Sequence, residues 1–233
     1  MTPPPLQVEA LTKTFILHLR DGLRLPVLGG VNLSIEAGTC VVLSGPSGSG
    51  KSTLLRALHG NYRADSGRIL IRHLGRTVDM VTADPRTILA VRHHTIGYVS
   101  QFLRVVPRVP ALDIVAEALH GRGVTPDEAR DQAAALLLSL NIPRLLHGIP
   151  PATFSGGEQQ RVNLARGFIA RHPILLLDEP TASLDAENRA VVVRMIQDAK
   201  ARGTAIAAIC HDLDVRGQIA DRLLPLTPYQ EAA

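Results

Sequence analysis

Gly45-Pro46-Ser47-Gly48-Ser49-Gly50-Lys51-Ser52-Thr53 is the stretch from which the rest of the chain can be read. The apolar run Cys40-Val41-Val42-Leu43 precedes it, and the helix-compatible run Leu54-Leu55-Arg56-Ala57-Leu58 follows. Two glycines bracketing four residues, then Lys and Ser, is the P-loop spacing. Glycines let the backbone turn and bring successive N–H groups against phosphate oxygens. The helix behind the loop adds its positive N-terminal end. Lys51 has the reach for the β- and γ-phosphates, and the Ser52 hydroxyl is suited to Mg²⁺. The plainer alternative is a Gly/Ser-rich turn, but a strand before and a helix after favour a nucleoside triphosphate site.

Composition narrows the class. The chain has 233 residues, 45% hydrophobic and 20% charged, enough for one substantial core, so residues 1–233 read as a single domain with a subdomain. A net charge of +4 and 3% aromatic residues argue against a nucleic-acid partner. Cys40 and Cys210 lack metal-ligand spacing and read as reduced core residues of a cytoplasmic protein. No run has the length of a membrane span, and Met1-Thr2-Pro3-Pro4-Pro5 has neither the basic nor the apolar part of a signal peptide. Direct membrane insertion is therefore not expected, and a membrane connection would run through a partner.

Taken in order, residues 6–16 alternate as a strand, and Asp21-Gly22 signals a hairpin between Phe15–Leu19 and Leu23–Val27. Val31–Ile35 reads as a further strand, Asp65-Ser66-Gly67 as a turn, and Arg68–Arg72 and Thr77–Val81 as short strands. A helix is expected over Pro85–Arg92 and a buried strand over Ile96–Val99. From Leu112 to Ala170 the pattern is helical. Thr125-Pro126-Asp127-Glu128 is a helix start, and Ala133–Leu138 should make that helix well buried. Ile174–Leu177 reads as a strand buried on both faces, Ala186–Ala201 as a helix and Thr204–Ile209 as another strand. The fold class is therefore α/β, a P-loop core with a parallel sheet, an antiparallel β subdomain and an inserted helical subdomain. Residues 1–100 and 171–233 form the catalytic core with its β subdomain, and 101–170 the helical part. Ligands of such sheets bind at the carboxyl ends of the strands, where the P-loop, Asp178-Glu179 and His211 all fall.

Asp178-Glu179 closes a buried strand with two carboxylates, which need metal, water or donors there. Asp178 is placed to hold Mg²⁺ and Glu179 to activate an attacking water. Solvated acids at a strand end are the plainer reading. Ser155-Gly156-Gly157-Glu158 opens a helix as a capping box, and its glycines also expose N–H groups to a second phosphate.

In this order and spacing, the P-loop, Ser155-Gly156-Gly157-Glu158-Gln159, Leu177-Asp178-Glu179-Pro180, Ser183-Leu184-Asp185 and His211 resemble the ATP-binding cassette ATPase family. The resemblance covers nearly the whole chain and implies ATP hydrolysis with ATP and Mg²⁺. It also implies a dimer with a second cassette ATPase subunit, identical or not. Ser155 and Gly157, with Gly156 and Glu158 beside them, would meet the γ-phosphate on the partner's P-loop. By the same resemblance Gln101 senses Mg²⁺ and water, Asp185 communicates across the dimer, and His211 steadies the γ-phosphate. Phe15 is matched to the aromatic that stacks on adenine, with plain packing in a strand as its other reading. Phe154 and Glu158 stand where the family more often has Leu and Gln.

The segment from Gly97 to Val109, with Ala111–Glu117 and His59-Gly60-Asn61-Tyr62, resembles the L-subunit group of the bacterial carbon–phosphorus lyase system. That implies soluble lyase-system partners and a part in alkylphosphonate breakdown, at the step that attaches the phosphonate to ribose. The alternatives are the ATPase subunit of a lipoprotein or macrolide-type exporter, and a non-hydrolysing ATP-dependent clamp. The Arg104–Arg108 stretch reads as a docking loop or as a solvated basic loop.

Overall fold

The computed structural model describes residues 3–17, 22–103 and 107–229. The chain runs β1 (Leu6–Leu17), β2 (Leu23–Ile35), β3 (Cys40–Ser44), α1 (Lys51–Leu58), β4 (Ser66–His73), β5 (Arg76–Asp79), α2 (Pro85–His94) and β6 (Ile96–Val99). It continues with α3 (Ala111–Ala116), α4 (Pro126–Ser139), α5 (Arg144–His147) and α6 (Gly156–Ile169). The last part holds β7 (Ile174–Asp178), α7 (Ala186–Ala201), β8 (Ala205–Ile209), α8 (Leu213–Ile219) and β9 (Arg222–Pro225).

Two sheets form. One is antiparallel, in the order β2-β1-β4-β5, and the other runs β6-β7-β8-β3-β9 with every pair parallel. Side chains of a strand alternate between faces, and the parallel sheet uses both. Val41, Leu43, Ile174, Leu176, Ala205 and Ala207 enter the core shared with α1 and the antiparallel sheet. Cys40, Val42, Leu175, Leu177, Ile206 and Ala208 enter the core shared with α3, α4, α6 and α7. Burial raises the Cys40 thiol to about 12, so it packs as a small apolar group; both cysteines are free. No described helix is long and apolar enough to cross a membrane.

Several elements depart from the sequence reading. Leu23–Val27 and Val31–Ile35 are one strand, because Gly29-Gly30 sits in an irregular stretch of the β1–β2 ladder and does not end it. Ala10 at φ 44° and Gly30 at φ 73° carry that irregularity, and the Ala10 N–H donates to Asn32 Oδ1 at 2.9 Å. Ser66 and Gly67 of the expected turn open β4, with Asp65 in the bend before it. Gly67, at φ 86°, lies against the Glu9 and Ala10 carbonyls, where a Cβ would stand 2.5 Å from each oxygen. A bulge and a turn both favour glycine, so composition alone does not separate them.

The α4 helix has the expected Thr125–Glu128 capping box but buries only Ala129, Ala133 and Leu137. Leu138 is 38% exposed, since the helix packs on α3 and α6 along one face only. No sequence motif announces α8 and β9, which follow His211. Asp21 of the expected hairpin, Leu19 of the expected strand and residues 104–106 of the basic stretch lie outside the described residues.

Two histidines are held neutral by the packing. Burial lowers His59, against the Tyr98 ring, and His172, beside Arg122, to about 4 from the usual 6.5. Between those values the unfolded chain binds more protons than the folded one, so stability falls as pH drops through that window. Urea unfolding at about pH 7 and about pH 5 should show the midpoint fall at the lower pH. A steady midpoint would contradict this reading of the two rings.

Candidate functional site

The P-loop leaves the end of β3 and enters α1 with three glycines at positive φ: Gly45 at 139°, Gly48 at 79° and Gly50 at 89°. Only glycine adopts such angles readily. Lys51 is 8% exposed, and its Nζ donates to the Gly45 and Pro46 carbonyls, each at 2.8 Å. The loop is thereby closed around a cation that an oxyanion can recruit. Pro46, Ser47 and Gly48 lie on the exposed outer side, and Ser49 and Gly50 are buried within.

At the carboxyl ends of β7 and β8 the acids come together with the loop. Every residue of β7 is buried, and Asp178 ends it at 2% exposed. The Ser52 hydroxyl donates to Asp178 Oδ1 at 3.3 Å. Burial raises the Asp178 carboxyl above its usual range, with the Ser52 hydrogen bond opposing it. Two hard oxygens side by side are the donor set a small divalent cation takes, so the residues fit Mg²⁺. Among the described residues no cluster of three His, Cys, Asp or Glu could hold a metal. One carboxylate, one hydroxyl and substrate phosphates is accordingly the arrangement that fits.

Glu179 follows at φ 53°, pinned by its N–H to the Ile209 carbonyl at 3.1 Å. Its Oε1 lies 3.3 Å from His211 Nε2, which joins the ends of β7 and β8. The helix α6 begins at Ser155, whose hydroxyl accepts from the Glu158 N–H at 3.4 Å while Glu158 Oε2 accepts from the Ser155 N–H at 2.8 Å. Among the described residues no hydrogen bond joins Ser155, Gly156 or Gly157 to the P-loop of the same chain. Gly157 instead lies against the Ser183 carbonyl, where a Cβ would stand 2.9 Å from the oxygen. Asp185 caps α7, accepting from the Asn188 N–H at 2.8 Å.

Other residues organise the site without a motif to announce them. Gln160 donates from Nε2 to the Glu179 and Pro180 carbonyls at 3.4 and 3.3 Å. One turn on, Asn163 donates to the Ser100 carbonyl at 2.6 Å, directly before Gln101. The Tyr98 hydroxyl donates to Asp178 Oδ2 at 3.4 Å, and Arg56 of α1 faces the same phenol. Arg56 also donates to the Tyr62 hydroxyl at 3.0 Å, and the Tyr62 ring meets the half-buried Phe15 edge-on at 5.2 Å. Gln101 itself is half-buried.

A family model described as ABC transporter matches residues 28–182. The chain belongs to the ABC transporter family. As a cassette ATPase it uses ATP with Mg²⁺. The lipoprotein-releasing system ATP-binding protein LolD of Maricaulis maris is 38% identical over 234 residues, covering 97% of this chain and 98% of LolD. The macrolide export ATP-binding/permease protein MacB of Hyphomonas neptunium is 34% identical, across 92% of this chain and 32% of MacB. Among solved structures, the dimeric post-hydrolysis state of the ATP-binding cassette MJ0796 bound to ADP and Pi superimposes with a TM-score of 0.86. It is 27% identical, covering 95% of this chain and 94% of that one. These relatives correct the carbon–phosphorus lyase expectation. That resemblance rested on three short segments, whereas the LolD match runs the length of the cassette.

Because burial disfavours the charged form of Asp178, its ionisation costs native stability at neutral pH. A raised carboxyl contributes stability that is present at low pH and lost as pH rises through its folded pKa. Asp178→Asn keeps the shape without the charge. It should raise the nucleotide-free unfolding midpoint by about 2–4 °C, the shift that roughly 1 kcal/mol gives in a domain of this size, while weakening Mg²⁺–ATP binding. Calorimetry without nucleotide checks this, and a lowered midpoint would show that Asp178 is stabilising as an anion.

Proposed function

We propose that the chain is the nucleotide-binding subunit of an exporter of the lipoprotein-release or macrolide type, docking as a dimer on a separate membrane subunit. The observation that carries this is the end-to-end match to LolD, at 38% identity over 98% of that protein. The match to the ATP-binding part of MacB, whose name couples ATP binding to a permease, supports the same direction. A soluble part in phosphonate breakdown has only the short segments behind it. A non-hydrolysing clamp is disfavoured because Lys51, Asp178, Glu179 and His211 are all present and placed together at the carboxyl ends of β3, β7 and β8.

In this reading Gly45 to Thr53 wraps the triphosphate, and Ser52, Asp178 and Gln101 hold Mg²⁺, which when bound offsets charge on the β- and γ-phosphates. Glu179 takes the proton of the attacking water, and His211, 3.3 Å from it, orients that carboxylate and the γ-phosphate. Phe15, backed by Tyr62, is the platform for adenine. Ser155, Gly156, Gly157 and Glu158 face a second cassette and serve its ATP. The dimeric MJ0796 cassette supports this assignment. Asp185, through the α7 cap beside the Gly157–Ser183 contact, carries the state of one site toward the other.

Glu179→Gln should bind ATP as the parent does and lose about 10²–10⁴-fold in turnover. Hydrolysis at the parental rate would remove Glu179 as the base. Light scattering of that variant with Mg²⁺–ATP should show a dimer that is absent without nucleotide, and a persistent monomer would point to a different obligatory partner. From detergent-solubilised membranes the tagged chain should co-purify with an integral permease. Recovery with soluble phosphonate-processing subunits would reverse the choice between the two readings.

A further inference from the structure

The P-loop is gripped from two sides by segments that no motif marks. On one side β9 pairs with β3 up to Ser44↔Pro225, and the Leu226 N–H donates to the Ser44 carbonyl at 2.7 Å. The Leu226 carbonyl then lies so close to Gly45 that a Cβ there would collide with it. On the other side the middle of β2 presses on Gly50, where a Cβ would stand 2.8 Å from Leu28 Cδ2 and 2.9 Å from the Val27 carbonyl. The first and last glycines before Lys51 are therefore each held against foreign backbone.

A cavity of about 190 Å³ lies between the two segments, lined by Leu28, Asn32, Ser49, Leu226 and Thr227 among others. Ser49 is 1% exposed, and its Oγ has no hydrogen-bond partner among the described residues. The two flanking segments, each lying against a loop glycine, bear directly on the loop's shape. At the far end of these segments the Tyr229 ring lies over Gly29 of β2, where a Cβ would stand 2.5 Å from Cδ2 and 2.8 Å from Cε2. Tyr229 is 44% exposed, so the ring contributes little to the core. Its contact closes a path from Gly45 through Leu226 and Tyr229 to Gly29, Leu28 and Gly50.

We infer that Leu226–Tyr229 and the middle of β2 form a clamp that sets the phosphate-loop geometry, with the Tyr229 ring on Gly29 as its pin. Tyr229 is then a positioning residue for nucleotide binding that acts through Gly45 and Gly50. The inference rests on the reading of Gly45 to Thr53 as the ATP loop, and it is independent of which membrane subunit the cassette serves. Loosening the pin leaves the hydrolytic groups in place and relaxes the spacing of the N–H donors. Affinity should therefore fall while turnover of bound ATP stays as it was.

The test measures binding of a fluorescent ATP analogue with Mg²⁺ to the full chain, alongside kcat, KM and the unfolding midpoint. Tyr229→Ala should weaken binding by about tenfold, equivalent to about 1.4 kcal/mol, and raise KM with kcat unchanged. Tyr229→Phe, which keeps the ring, should bind as the parent does. Gly29→Ala, which puts a methyl where the ring sits, should weaken binding like Tyr229→Ala, and the double variant should be no worse than either. The proposal is overturned if Tyr229→Ala lowers the unfolding midpoint but leaves affinity parental, if Tyr229→Phe is as weak as Tyr229→Ala, or if the two losses add. A parental chain that fails to bind the analogue would overturn the ATP-loop reading beneath it, a result distinct from all of these.

Discussion

A carboxylate at the end of a strand buried on both faces is an expensive object, and the site is arranged around Asp178 for that reason. Its two oxygens are served from different elements: Ser52 at the start of α1 reaches Oδ1, and Tyr98 on β6 reaches Oδ2. Both are hydroxyl donors held near the outer limit of hydrogen-bond length, so they soften the burial without cancelling it. The carboxyl stays raised above its usual range, short of counter-charge. A divalent cation, which Asp178 and Ser52 would hold, would supply the counter-charge that the protein withholds. Nucleotide and metal bound there would complete the electrostatics of the fold as well as its chemistry.

The second organising element is α6. Its first turn presents Ser155 and Gly157, its second and third turns carry Gln160 and Asn163, and these reach backbone carbonyls in two loops at the sheet edge. Gln160 holds the carbonyls of Glu179 and Pro180, and Asn163 holds Ser100 beside Gln101. One rigid rod therefore touches the loop bearing Glu179, the loop bearing Gln101, and the surface proposed to face a second cassette. Any tilt of that rod is shared by all three, which is the physical content of coupling between a distant partner and the γ-phosphate.

What could be read from the residues divides along a physical line. The loop from Gly45 to Thr53, Asp178-Glu179 and the α6 start stood out in the sequence because the roles proposed for the first two, phosphate cradling and metal holding, and the helix capping seen in the third each demand particular residue types at fixed short spacing. Ile174–Leu177 and Ala186–Ala201 were legible through their apolar pattern. Tyr98, Arg56, Gln160 and Asn163 were not, since they work through neighbours 6 to 80 residues away in sequence that only the fold brings close. Gly67 was misread for a different reason: Asp-Ser-Gly suits a turn and a bulge equally. The burial of Ala133–Leu138 was overstated because composition does not reveal how many faces of a helix have something to pack on. Residues after His211 carry no motif, yet they supply the strand that flanks β3.

That last strand has a consequence for how the protein comes into being. In the order β6-β7-β8-β3-β9, the third strand of the chain lies between the eighth and the ninth. Cys40 pairs with Ile206 on one side and Val41 with Arg222 on the other. The antiparallel sheet needs nothing beyond Asp79 and can assemble while synthesis continues. The strand that feeds the phosphate loop must wait, its Val41-Val42-Leu43 unpaired, until Ala205–Ile209 and Arg222–Pro225 have been made. Loop closure over such distances is slow, and an exposed apolar strand is open to misassociation in the interval.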